Sequence, residues 1–91
     1  DGFDTRKAVT IISPLTDAIA EKVSAEMDRG ATIINARGHY SKESKDILYV
    51  VINKQELFLL KKMIQQIDDK AFVVVHDVRD VFGEGFTFPK T

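Results

Sequence analysis
No cysteine occurs in the chain, which excludes disulfides, thiolate nucleophiles and thiolate metal sites and suits a reducing compartment. Charge of either sign is not in excess: thirteen Lys and Arg stand against fourteen Asp and Glu, for a net charge of −1. Such a surface has no general attraction for a polyanion, so wholesale binding to nucleic acid or an anionic membrane is not expected. No apolar run approaches the ~20 residues that a bilayer-spanning helix needs. No signal peptide is read at the N-terminus, and a start at Asp1 without methionine is expected of a piece cut from a longer protein.

What is present is the makings of one compact core, since 91 residues have no room for two. Residues 1–6 read as a polar linker, 7–86 as the domain and 87–91 as a tail. A β-branched run at 8–12 predicts a first strand. Ser13 and Pro14 then read as the cap and first position of a helix over 14–28, with Leu15, Ile19, Val23 and Met27 as its apolar stripe. Arg29 suits the negative end of that helix and Gly30 its left-handed cap. A weakly alternating second strand is expected over 31–40, at a sheet edge, and a third over 47–52, apolar on both faces and so central. Asn53-Lys54-Gln55-Glu56 is a capping-box pattern opening a second helix. Leu57, Leu60, Ile64 and Ile67 face inward on it. A fourth strand covers 71–75, residues 78–82 form a short unassigned element, and Gly83-Glu84-Gly85-Phe86 a turn.

The order β-α-β-β-α-β is that of a ferredoxin-like α+β sandwich. Right-handed crossovers put strands one and three in the middle of a four-stranded antiparallel sheet, with both helices on one face. The other face is left bare. Either Tyr49 and Val51 or Leu48, Val50 and Ile52 must point there, together with either Phe72 and Val74 or Val73 and Val75. At roughly 1.5–3 kcal/mol for each large apolar side chain left in water, a handful rivals the stability of a small domain. Self-association through this face as a dimer or trimer is therefore expected, with Tyr49, Val51, Phe72, Val74, Phe82 and Phe86 as candidate contacts. The competing expectation is that the tail folds back over the sheet within one chain.

For a ligand, Arg37, Gly38, His39, Tyr40, Lys42 and Lys45 gather cations, an imidazole and a glycine at one strand end, which is what a small anionic or phosphate-bearing ligand requires. A polar hairpin connection would hold many of the same residues. Gly83 and Gly85 are further candidates for backbone approach to a ligand, or turn glycines. His39, His76 and Asp77 lack the spacing of a zinc motif, so no metal or other cofactor is expected. No serine, histidine and carboxylate stand at a catalytic spacing, so no catalytic residues are assigned and no enzyme activity is expected. RNA-recognition domains share this element order, but their third strand carries stacking aromatics where this chain reads Lys45-Asp46-Ile47-Leu48-Tyr49-Val50-Val51, so RNA is not an expected partner.

Taken together, Arg29-Gly30-Ala31-Thr32, Gly38-His39-Tyr40, Lys45-Asp46-Ile47-Leu48, Glu56, Asp68-Asp69-Lys70-Ala71-Phe72-Val73 and Val81-Phe82-Gly83-Glu84-Gly85-Phe86 resemble the soluble C-terminal domain, of unknown function, of YitT-type bacterial membrane proteins. Asp69 stands where that family usually has proline, a change confined to a turn. The resemblance implies a bacterial protein with a preceding membrane portion and this domain on the cytoplasmic side. The shape is also similar to that of PII-type signalling proteins, which form trimers, bind nucleotides between subunits and use the connection between strands two and three as an effector loop. The resulting expectation is a non-catalytic regulatory module, oligomeric, sensing a small anionic metabolite or nucleotide. The alternative is a purely structural oligomerisation domain with no small-molecule ligand.

Overall fold
The computed structural model describes residues 6–83. Four strands, β1 (Arg6–Ile12), β2 (Thr32–Arg37), β3 (Ser44–Asn53) and β4 (Phe72–Val78), make one sheet in the order β2-β3-β1-β4, every neighbouring pair antiparallel. Helix α1 (Thr16–Met27) joins β1 to β2, and α2 (Leu57–Ile67), entered through a short 3₁₀ turn (Lys54–Glu56), joins β3 to β4. This is the expected ferredoxin-like sandwich, with β1 and β3 central. Its first strand begins one residue inside the stretch read as linker.

The phase of each strand follows from the register. Val9 pairs with Val50 and Val75, and Ile11 with Leu48 and Val73. Directly opposed residues share a face. Val9, Ile11, Leu48, Val50 and Ile52 are sealed beneath Ile19, Val23 and Met27 of α1 and Leu60, Met63 and Ile64 of α2. The helix side of the sheet is thus the core side, and Tyr49 and Val51 are turned the other way.

Several boundaries move for identifiable reasons. Ser13 is not the helix cap: its hydroxyl accepts from Leu15 N–H at 2.9 Å and donates to Asp68 Oδ2 at 2.6 Å. Pro14 and Leu15 are left in a turn, α1 starts at Thr16, and Leu15 is exposed while Thr16 takes its place in the buried stripe. Asp28, at φ 52°, takes the left-handed cap expected of Gly30, a conformation that aspartate tolerates better than most residues. Arg29 reaches across to Glu56, its Nη2 3.1 Å from Oε1. Glu56 also accepts the Asn53 N–H at 2.8 Å, completing the capping box. On α2, Met63 joins Leu60 and Ile64 in the core, and Leu57 and Ile67 are half-buried. Strand β4 runs on to Val78 because His76 and Asp77 continue the ladder opposite Ala8 and Lys7.

The Ser13–Asp68 bond joins the end of β1 to the end of α2 and carries a pH signature. The Ser13 hydroxyl, then the Lys70 N–H, hold the Asp68 carboxyl below its usual range. A carboxylate favoured in the folded state adds stability that is complete above the unfolded value, about pH 4, and lost as pH falls through the folded value. Urea denaturation of Ser13→Ala should show a stability deficit that is widest at neutral pH and narrows below about pH 4. A deficit that does not change with pH would show that the bond does not bear on the titration.

Candidate functional site
Strands β2 and β3 outrun β1. Ile12, the last residue of β1, pairs with Ile47, whereas Ser44, Lys45 and Asp46 pair only with β2. The overhanging ribbon ends in a loop over 38–43, closed by Gly38 N–H to Glu43 O and Lys42 N–H to Gly38 O, both 2.9 Å. Lys42 is at φ 65°, and the Ser41 hydroxyl accepts the Glu43 N–H at 3.2 Å. A Cβ on Gly38 would meet Ser41 Oγ at 2.5 Å, and the end of the Lys45 side chain lies 3.7 Å away. A side chain here would push the Ser41 hydroxyl from its bond to the Glu43 N–H. These closures end β2 at Arg37 and start β3 at Ser44, so β2 is shorter and β3 longer than the sequence predicts.

The same register divides the expected anion site. Arg37 faces Ser44 and Lys45 faces Ala36, one residue out of phase, so the two cations leave opposite sides of the ribbon. Arg37 lies toward the helix side and Lys45 toward the bare side. His39 and Lys42 are exposed at the tip, and Tyr40 is 98% exposed. Gly83, at φ 123°, follows the Val78 end of β4, beside Arg6, while the loop follows the Ile12 end of β1. About 20 Å of strand separates the two. One subunit therefore does not bring Gly83 to the loop, and Gly85 lies outside the described residues.

Beside the ribbon is an open cleft of about 650 Å³ between the turn after β1 and the start of β3. Lys45 lines it, but so do Asp17, Glu43 and Asp46. Three carboxylates against one ammonium do not favour an anion there. Asp46 is held by Asn35 Nδ2 at 3.0 Å, and the Thr16 hydroxyl lies 2.6 Å from the Ser13 carbonyl and 3.1 Å from that of Asp46, tying the cleft walls together. Among the described residues no three His, Asp or Glu side chains converge as a metal site.

The bare face is coherent where the loop is not. Tyr49 and Val74 both oppose Thr10, Val51 opposes Ala8, and Phe72 opposes Ile12, so four of the six expected interface residues share one surface. Ile34, opposite Ile47, extends it to the β2 edge. Phe72 is 63% exposed, Ile34 44% and Tyr49 39%. Among the described residues of this face, cationic and imidazole groups stand only at its margins, as Arg6, Lys45 and His76. Phe82, 91% exposed, lies beyond β4, and Phe86 is outside the described residues. Ile12, Ile34 and Ile47 are not among the expected contacts, although the parity that turns Tyr49 outward also turns them.

Comparison with known proteins gives a consistent set of matches. The family model described as an uncharacterized protein conserved in bacteria (DUF2179) matches residues 29–83. The UPF0750 membrane protein YxkD of Bacillus subtilis (strain 168) is 60% identical over 86 residues, covering 94% of this chain and 31% of that protein. The UPF0750 membrane protein YitT of the same organism is 33% identical over 73 residues, 80% of this chain and 26% of that protein. The chain thus spans about a third or less of the length of these curated relatives. Among solved structures, an uncharacterized DUF2179 protein from Eubacterium ventriosum superposes with a TM-score of 0.72 at 27% identity, covering 80% of this chain and all of that one. A protein of Thermus thermophilus described as PII-like signalling gives 0.67 at 24% identity, over 81% of this chain and 86% of its own. The protein CPII of Thiomonas intermedia, solved bound to ADP, AMP and acetate, gives 0.61 at 15% identity, over 81% and 85%. The last two likenesses are of fold.

Proposed function
Because the chain belongs to the DUF2179 family of bacterial proteins, and its UPF0750 relatives are membrane proteins of which it spans about a third, we propose that it is a non-catalytic regulatory assembly module on the cytoplasmic side of an attached membrane region. Copies meet through the bare face of the sheet. The observation that carries this reading is the apolar surface on which Tyr49, Val51, Phe72, Val74 and Ile34 lie together. A surface of that kind marks an interaction site more often than a solvated face. No helix among the described residues is long and apolar enough to cross a membrane, and the absence of cysteine suits a reducing compartment. Static light scattering of the chain should give a dimer or trimer mass at about 100 μM, within the range of a micromolar interface. A monomer mass at that concentration overturns the reading.

Sensing of a small anionic metabolite or nucleotide is the regulatory input in this proposal. It is supported by the cations of the 37–45 ribbon and by the bound ADP, AMP and acetate of a protein with the same fold. The parity of Arg37 and Lys45 and the carboxylates of the cleft favour instead assembly without a ligand. A thermal-shift panel of nucleotides and organic phosphates separates the two. Sensing requires at least one compound to raise the melting temperature of the parent chain and to lose that effect in Arg37→Ala or Lys45→Ala. No shift with any compound leaves the structural reading.

A further inference from the structure
A net charge of −1 conceals an uneven distribution of charge and apolar surface. Asn53 pairs with Arg6 and Arg6 with Val78, so the start of β1, the end of β4 and the start of α2 lie at one end of the sandwich. Phe58, in the first turn of α2, is 76% exposed. Phe82, shortly after β4, is 91% exposed, and its neighbour Val81 is kept at this end by Arg6 Nη1–H, which donates to the Val81 carbonyl at 3.2 Å. Phe58 and Lys62 share the side of α2 opposite the buried Leu60, Met63 and Ile64. The Lys62 ammonium lies 5.9 Å from the Phe58 ring centre, and α2 contains no carboxylate. Of the carboxylates described at this end, Glu26 is bound by Lys22, Glu56 by Arg29 and Asp77 by Lys7. Asp28 and Asp80 are left against Lys54, Lys61, Lys62 and Arg79.

We propose that this end of the domain docks on an anionic lipid surface, Phe58 and Phe82 entering the headgroup layer while Lys54, Lys61, Lys62 and Arg79 meet lipid phosphates. Exposed rings among long cationic side chains make an interfacial contact, in which apolar burial and charge attraction add. An acidic protein would answer the charge but would need a fitted pocket for each ring, whereas a bilayer admits rings in any arrangement. The UPF0750 relatives are membrane proteins of which this chain spans about a third, so a domain attached in the same way has a bilayer within reach. Contacts too weak to hold a free domain suffice once the two are linked. The docking rests on the membrane attachment proposed above and not on the assembly, since Tyr49 and Val51 belong to the bare face of the sheet and Phe58 to the helical layer.

The chain has no tryptophan, so Phe58→Trp places a single indole at the contact. The full chain is held by an amino-terminal histidine tag on vesicles carrying a nickel-chelating lipid, which supplies the attachment and leaves docking alone under test. On vesicles rich in phosphatidylglycerol the indole emission should move to the blue and be quenched by brominated acyl chains. On phosphatidylcholine it should stay that of an exposed indole. Adding Lys61→Gln with Lys62→Gln should lower the ratio of docked to undocked chain by about thirtyfold, and raising the salt concentration should lower it too. Tyr40→Trp, at the loop on the opposite end and 98% exposed in the parent, should stay unquenched on either lipid. An unquenched indole at position 58 on phosphatidylglycerol, equal quenching on both lipids or at both positions, or no effect of the lysine changes overturns the proposal. So does an indole at position 58 that is already blue-shifted without vesicles, which would assign the cover to protein.

Discussion

Tyr49→Lys combined with Val51→Lys is expected to yield a folded monomer at concentrations where the proposed assembly gives the parent chain a dimer or trimer mass. Both residues lie on the central strand β3 and face away from the helices, opposite Thr10 and Ala8. In an assembly through this face they stand near the middle, where a lysine must shed its water with no carboxylate among the described residues of the face to meet it, and symmetry brings like charges together. Central interface residues cost about 2 kcal/mol or more when lost, and two such changes weaken association by roughly a thousandfold. The fold bears much less of the cost, because Tyr49 is already 39% exposed and strand preference spans only about 1 kcal/mol per position. Light scattering reads the mass and circular dichroism the fold. Leu59→Lys, on the exposed side of α2, is the matched control. An unchanged mass in the double variant would move the interface elsewhere.

The second large effect separates the two faces of one strand. Ile11 is fully buried between Leu48 and Val73, and Ile11→Ala should cost about 2–5 kcal/mol in urea denaturation, as truncations in a packed core do. For 91 residues the whole stability is of the order of 5–14 kcal/mol, so the loss is a large share of it. Ile12, its neighbour, points to the bare side and is half-buried. Ile12→Ala measured below the association range should cost under about 1.5 kcal/mol. Equal losses at the two positions would contradict the register.

The element order, and from it the fold, could be read from the sequence because the helices carry apolar stripes three and four residues apart, the strands are short β-branched or apolar runs between polar breaks, and the Asn53–Glu56 box marks one helix start without ambiguity. Which face of β3 meets the helices could not be read, since Leu48, Val50 and Ile52 on one side and Tyr49 and Val51 on the other are all apolar enough to be buried. Packing against α1 and α2 decides it. Ser13 misleads for a related reason: a serine before a proline looks like a cap, and only the fold brings Asp68 close enough to claim its hydroxyl. The expected cation cluster is divided by parity. Arg37 and Lys45 look clustered in a loop of unknown length, but six loop residues, 38–43, fix Arg37 opposite Ser44 and divide the charges. Phe58 is hidden in the sequence because α2 opens with four apolar residues, Leu57 to Leu60, of which Leu60 is buried and Leu57 half-buried.

Asn53 ends β3 and caps the helical stretch that follows, with no residue between the two roles. A strand joined to a helix without slack leaves that helix no freedom to choose where it starts: the last rung of β3 sets the height of α2 above the sheet. The Arg29–Glu56 pair fastens the residue that follows the cap of α1 to the same corner, so both helices are located from one end of one strand.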